Sequence, residues 1–497
     1  MNDRTRRALA IFAAALLLGI AADTLSTWVP GRLDLALWAA AALLAVIVLV
    51  RGGALHAPPR AGLLAVTAAL LIPCLVWRDA EQLVVVDVFA LLALVGLATT
   101  GRITESLDRL GAFDLVRGAV TLGLGTVGGP IPAAAGDIAW AEMPGTSRTR
   151  RVMVVLAGLV AAIPVLLLFG NLFGQADPLF RQWVAKVFAF DLARVVQHVA
   201  FACFVAWLAA GALRAALWRE GRRPDWLPTL PAGGEVPAGA VLGFVGSIGA
   251  LFALFVGFQA RELFLDSAQF QALTGVTISE YARSGFFELL AVGALTLPML
   301  LGADWLLSRR EPAAARWFHR LTAVVLVLLV LVLASAYQRM LLYRDYYGLT
   351  EQRFYALAFM TWLALVFAWF GVTVLRGRRP RFLPGAIAAG YAALLILNVV
   401  NPDAVVARVN LERAAAGSPL DADYLAKLSA DAVPVVLDAI GKGRVPEGCA
   451  LEGRLRTRWA PLVAPSDSAG DWNLARREAS RRLAAPPSAP ECGQAPS

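Results

Sequence analysis

Histidine and cysteine are scarce in this chain, with three and four copies among 497 residues. His56, His198 and His319 fall on different sides or depths of apolar segments, and no Cys/His group has zinc-ligand spacing, so neither a metal nor a cofactor is expected. Charge is scarce too, at 16% of residues, while 59% are hydrophobic and mean hydropathy is +0.65. A soluble chain of this length cannot bury so much apolar side chain, which excludes the ordinary soluble classes. Enzyme signatures are missing as well: the sequence has no Walker loop, no G-x-S-x-G and no H-E-x-x-H. No catalytic residue is assigned, and the balance is against an enzyme.

Long apolar runs are what the chain has instead. About 20 mostly apolar residues carry a helix across the hydrocarbon core. Runs of that order predict eleven spans, at 8–29, 33–50, 61–77, 82–99, 152–173, 195–218, 236–259, 285–307, 321–343, 354–375 and 383–400. The expected fold is all-α: a polytopic transmembrane bundle over 1–400 with a tail over 401–497. Arg4, Arg6 and Arg7 before the first run and the small pair Ala21-Ala22 also suit a cleaved signal peptide. The short turn Pro30-Gly-Arg32 leading straight into the next run favours an uncleaved helix.

Positive charge gives the orientation, because Lys and Arg are retained in cytoplasmic loops. With the N-terminus inside, the inner loops hold Arg51 and Arg60; Arg102, Arg109 and Arg117; Arg148, Arg150 and Arg151; Arg219, Arg222 and Arg223; Arg309, Arg310, Arg316 and Arg320; and Arg376, Arg378, Arg379 and Arg381. The opposite loops carry acids such as Asp79, Glu81, Asp177, Glu262 and Asp266. The net charge of +9 is thus spread one cluster per loop rather than along one face, which argues against nucleic acid as a partner. Eleven spans place the C-terminus outside, so the location expected is the bacterial inner membrane with an exported, small helical or disordered tail. Cys449 and Cys492 lie in that tail, where an oxidising compartment allows a disulfide.

Three regions interrupt the regular pattern. The connection 101–151 has apolar positions at helical spacing, suggesting helices at the inner membrane surface, with a re-entrant loop as the alternative. Within it, Gly123-Leu-Gly125-Thr-Val-Gly128 has the spacing of a dinucleotide loop, but Pro130 and Pro132 follow at once and no strand precedes it, so packing is the reading. In the span 236–259, Gly239, Gly243, Gly246 and Gly249 make a small-residue face suited to close helix approach. The tail is amphipathic over 420–440 and turns Pro/Ser/Ala-rich from Ala484.

Ionisable groups within spans are costly and usually face a bundle interior or an aqueous cavity. Asp23, Asp87, His198, Glu288, Tyr337, Arg353 and Asn398 all fall in the outer parts of their helices, whereas the inner part offers chiefly Asp304. Snorkelling to the interface is the plain alternative for each. The densest outer segments are Tyr281-Ala-Arg283-Ser-Gly-Phe-Phe-Glu288 and Tyr343-Arg344-Asp-Tyr-Tyr347-Gly-Leu-Thr-Glu-Gln-Arg353-Phe-Tyr355. They suggest an ion pair of Glu288 with Arg353 or Arg344. The cluster is either an aromatic belt locked by that pair or a pocket gripping an anionic head group or carboxylate, with Arg408 helping to close it.

Tyr281 to Leu289, Tyr347 to Tyr355, Asn401-Pro-Asp-Ala, Leu420-Asp-Ala-Asp-Tyr-Leu425 and Leu428-Ser-Ala-Asp-Ala-Val-Pro434 together resemble recurring blocks of a bacterial polytopic family, domain-of-unknown-function family 4173, with a neighbouring family, 4153. The resemblance spans about 241–437. It implies an integral membrane protein and transfers no catalytic residue. Three functions follow as expectations. The first is a periplasm-facing binding or signalling component with the bilayer, a small anionic ligand or lipid head group, and a membrane or cytoplasmic protein as partners. The second is a secondary transporter coupled through Glu288, Asp87 or Asp23. The third is a membrane transferase acting on lipid-linked substrates, disfavoured by so short a first outer loop.

Overall fold

The computed structural model describes residues 2–25, 31–53, 55–104, 111–139, 192–218, 237–262, 286–307, 312–445, 447–463 and 472–488. All regular structure among them is helical. The bundle comprises α1 (Asp3–Leu25), α2 (Arg32–Arg51), α3 (Ala61–Leu71), α4 (Cys74–Trp77), α5 (Glu81–Thr104), α6 (Ala112–Gly128) and α7 (Leu192–Leu217), followed by α8 (Ala238–Glu262), α9 (Phe286–Leu307), α10 (Pro312–Tyr347), α11 (Glu351–Thr373) and α12 (Phe382–Val400). Among the described residues nine of these, α1, α2, α5 and α7 to α12, are long and apolar enough to cross a membrane. The expected span at 61–77 is the shorter apolar helix Ala61–Trp77, which has a break at Ile72-Pro73. The expected span at 152–173 lies outside the described residues.

Among the described residues, the two largest apolar clusters of the bundle join neighbouring helices. Ile11, Ala15, Leu18, Leu49, Ala210, Leu213 and Leu217 join α1, α2 and α7. Val245, Leu300, Phe318, Leu329, Met360, Phe367 and Phe370 join α8 to α11. Between them α5 meets α12, where Leu83 and Leu94 share a cluster with Leu394, and the Tyr391 hydroxyl donates to Ala90 O at 2.9 Å. Leu17, Phe89, Leu295, Leu365 and Val399 project outward, as lipid-facing side chains do.

The connection after α5 differs from the expected surface helices. A Cβ on Gly118 would stand 1.8 Å from Thr100 Oγ1, and one on Gly125 would stand 2.9 Å from the Ala215 Cβ. Trp207 Nε1 donates to Val127 O at 2.8 Å. Hence α6 packs lengthwise between α5 and α7 rather than lying across their ends. After Gly129, whose Cβ position faces Gly211, a turn over Pro130–Pro132 and Ala133–Asp137 brings the chain back. Asp137 then binds Arg4 and Arg214, both at 2.8 Å, and Ala139 N donates to Thr5 Oγ1 at 2.9 Å. The described part of the segment is a hairpin packed along α5 and α7 whose return places Asp137 and Ala139 against the start of α1. Its GxGxxG glycines sit inside a helix, which disposes of the dinucleotide loop. The glycine face of α8 is less used than expected: only Gly249 has a described neighbour within 4 Å, Val325, while Gly239, Gly243 and Gly246 have none.

Beyond Val400 the chain forms α13 (Pro402–Ala415), α14 (Ala422–Lys427), a 3-10 turn (Ala430–Ala432), α15 (Val433–Gly441), α16 (Gly448–Val463) and α17 (Leu474–Ala484). Val406, Leu411, Leu425, Val433, Val436, Leu437, Leu451, Leu455 and Leu483 bury a common core. Leu349, Phe354 and Leu357 from the α10–α11 region join it, so the tail is a packed helical unit seated on the bundle. Its described part runs to Ser488, leaving 489–497 outside.

Candidate functional site

Beside the Leu349, Phe354 and Leu357 contacts, the tail meets the bundle at the three residues between α4 and α5. Arg78 leaves α4 in an extended conformation with its guanidinium 4.2 Å over the Trp77 ring. It donates to Asn398 O (2.6 Å), to Val399 O (3.3 Å) and to the Asp431 carboxylate (3.2 Å). Asp431 accepts the amides of Asp79 (2.6 Å) and Ala80 (3.3 Å), while Asp79 accepts the amide of Ala430 (3.1 Å). Each aspartate therefore caps the other's backbone. Arg476 of α17 neutralises Asp79 at 2.6 Å, and Asn473 Nδ2 donates to Arg78 O at 2.9 Å. Burial pushes the Asp431 carboxyl up, against the pull of the Asp79 amide and of Arg78. A buried ion pair of this kind holds only because the remaining lone pairs and N–H groups are also matched.

A second set of polar groups lies beside this clasp. Asn401, at φ 61°, ends α12 and caps α13 by accepting Ala404 N at 3.3 Å. The next turn buries Asp403, whose Oδ2 accepts Ser429 N at 3.0 Å. At the start of α11, Glu351 N donates to the Tyr424 hydroxyl at 2.8 Å, and the Glu351 carboxyl lies beside Asp403. Burial pushes the Tyr424 phenol up to about 12, so its O–H keeps a proton to donate. One turn below Asn401, Asn398 Nδ2 donates to Asp87 Oδ1 at 3.0 Å, and both side chains are fully buried.

The residues expected from sequence are distributed as follows. Tyr281 and Arg283 lie outside the described residues. Glu288 is exposed in the first turn of α9, and the predicted pair with Arg353 or Arg344 is not formed among the described residues. Arg353 instead stacks 4.0 Å over Tyr343 and donates to Gly348 O, while Arg344 pairs with the adjacent Asp345 at 2.7 Å. Both guanidiniums have nearer acceptors in the α10–α11 turn than a carboxylate on α9. Tyr347 is exposed, edge-on to Tyr343 at 5.0 Å, and Arg408 is exposed on α13. Gly348, at φ +79°, leaves room for Asn410, which donates to Leu349 O at 2.6 Å and accepts Leu349 N at 2.9 Å. Asp23 and His198 are brought together at 2.8 Å across α1 and α7. Cys449 is disulfide-bonded, and Cys492 lies outside the described residues.

Sequence reasoning missed Arg78, Asp403, Asp431, Arg476 and the role of Asp79. A signal was present, because the segments carrying the family resemblance, at 347–355, 401–404, 420–425 and 428–434, converge at this junction. The model of the family described as Domain of unknown function (DUF4153) matches residues 61–439. The chain belongs to that family. The match is to the neighbouring family named from the resemblance, 4153, and it extends further than the expected 241–437, starting at residue 61 and taking in α3 to α7. No curated protein and no solved structure matches the chain. Membership in the DUF4153 family thus adds the extent of the shared unit, without a reaction, while the multi-pass class rests on the long apolar helices.

Proposed function

We propose that this protein is a periplasm-facing binding and signalling component of the bacterial inner membrane, with its N-terminus inside and its tail exported. The observation carrying this reading is the reciprocal clasp of Asp79 and Asp431, which seats a helical unit with its own core on the ends of α5 and α12. A packed unit seated on the bundle through this polar junction and the Leu349, Phe354 and Leu357 contacts is suited to report occupancy of that end, because small shifts there move the whole unit. Arg344, Tyr347 and Arg408 supply the cationic and aromatic rim for a small anionic ligand or lipid head group, with Tyr281, Arg283, Glu288 and Arg353 in the neighbouring segments. The inner arginine loops supply contacts for a cytoplasmic or membrane partner.

The test is thermal stabilisation of the purified protein by a panel of lipid head groups, sugars and metabolites, run on wild type and Arg408→Ala. A compound that raises Tm in wild type and has lost its effect in the equally stable variant supports the rim as its site. If no compound acts on either protein, the reading fails. A second reading, a secondary transporter, draws on the α6 hairpin between α5 and α7, since irregular backbone at membrane depth occurs where protein or a water-filled cavity surrounds it.

A further inference from the structure

The junction is short of positive charge. Of its carboxylates, Asp79 and Asp431 are matched by Arg476 and Arg78. Asp87, Asp403 and the half-buried Glu351 have no ion pair among the described residues, and Asp87 and Asp403 are fully buried. Arg458 of α16 acts on Glu351 only at a distance, its own N–H being given to Ala426 O at 2.5 Å. Arg353 is engaged by Gly348 O and the Tyr343 ring.

Polar atoms are left over at the same place. Asp403 Oδ1, Asp87 Oδ2, Asn398 Oδ1 and the Tyr355 hydroxyl are buried without a hydrogen-bond partner. Asn398 bonds Asp87, Arg78 bridges Asn398 O to Asp431, Asp403 accepts Ser429 N, and Glu351, one turn before Tyr355 on α11, bonds the Tyr424 hydroxyl, so these atoms lie where α5, α11, α12, α13 and the 3-10 turn meet. Native proteins leave few such atoms unmatched, and an ion or water commonly completes the set. Water matches hydrogen bonds but leaves the surplus charge uncompensated, and uncompensated buried carboxylates are costly.

We infer that the junction binds one monovalent cation, sodium or a proton, at Asp403, Glu351 and Tyr355, with Asp87 and Asn398 as the next acceptors toward the membrane interior. The donor set is hard oxygen throughout, which suits a hard cation and disfavours soft metals. The inference deepens the reading of the junction as the sensing element. Because Asn401, Asp403 and Ser429 link the site to both α12 and the tail, an ion there would tighten the clasp.

The test is the melting temperature of the full-length protein in detergent, at fixed ionic strength, under sodium chloride, choline chloride, and choline chloride at lower pH. Asp403→Asn is nearly isosteric and keeps an acceptor for Ser429 N. A saturable rise with sodium that is lost in Asp403→Asn assigns sodium. A rise on acidification alone, likewise lost in Asp403→Asn, assigns the proton. Tyr355→Phe removes only an unpartnered hydroxyl and so should fold; it is expected to shift the cation midpoint by about tenfold, the worth of one hydrogen bond to an ion. Identical melting of wild type in all three media, or responses unchanged in Asp403→Asn and Tyr355→Phe, overturn the proposal. Failure here alongside an active anionic compound in the Arg408 panel would sink the cation site alone, and the reverse would sink the rim alone.

Discussion

Asp431 carries more of the junction than any other single side chain, since one carboxylate accepts two backbone amides and pairs with Arg78 while almost wholly shielded from water. Asp431→Ala would leave the buried Arg78 guanidinium without its counter-charge and two amides without their acceptor, a loss of about 3–5 kcal/mol by comparison with other broken buried pairs. Limited proteolysis should then cut within 401–488 at protease levels that leave wild type intact. Asp431→Asn, which keeps an acceptor, is expected to fall between. Arg353 and Glu288 make the contrasting case. Arg353→Ala should cost about 1–2 kcal/mol through the lost Gly348 contact and the Tyr343 stack. Glu288→Gln should cost almost nothing, and a double-mutant cycle between them should give a coupling near zero. Strong coupling would mean that the two residues meet after all.

Among the elements, α6 rests on glycine. A Cβ at Gly118 would overlap Thr100, and one at Gly211 would stand 2.2 Å from Thr126 O, so Gly118→Ala and Gly211→Ala should lower the melting temperature, each costing about 1–3 kcal/mol or more. Gly243→Ala on α8 meets no described atom within 4 Å and should be neutral or slightly stabilising, as alanine favours a helix interior. Equal losses at Gly118 and Gly243 would contradict the hairpin geometry. The elements themselves were legible because spans are set by length and hydropathy, and 33–50 or 383–400 fall within a residue or two of α2 and α12. Packing partners were not. Composition ranks the glycines of α6 and α8 alike, yet only the facing helix decides which are needed. The path of 101–139 was hidden for the same reason, since a hairpin between two helices and a helix on the surface share one apolar periodicity.

At the scale of the molecule, the clasp joins residues more than 350 positions apart, and no local spacing foretells such a meeting. Sequence could place Asp79 in an outer loop and Asp431 in a tail block, but their pairing depends on how α5, α12 and the tail come together. That arrangement also makes orientation testable, because everything proposed for the junction requires it to face the periplasm. Arg408→Cys, exposed on α13, and Arg51→Cys, exposed at the end of α2, give reporters at the two ends. In intact spheroplasts an impermeant thiol reagent should label Arg408→Cys at once and Arg51→Cys only after permeabilisation. The disulfide at Cys449 offers an independent check, since such bonds persist in oxidising compartments. We propose Cys492 as its partner, and Cys492→Ser should then free a thiol at Cys449 and lower the stability of the tail by about 2–4 kcal/mol. Labelling of Arg51→Cys before Arg408→Cys would invert the molecule, placing the clasp and its carboxylates in the cytoplasm and removing the basis for a periplasmic sensor.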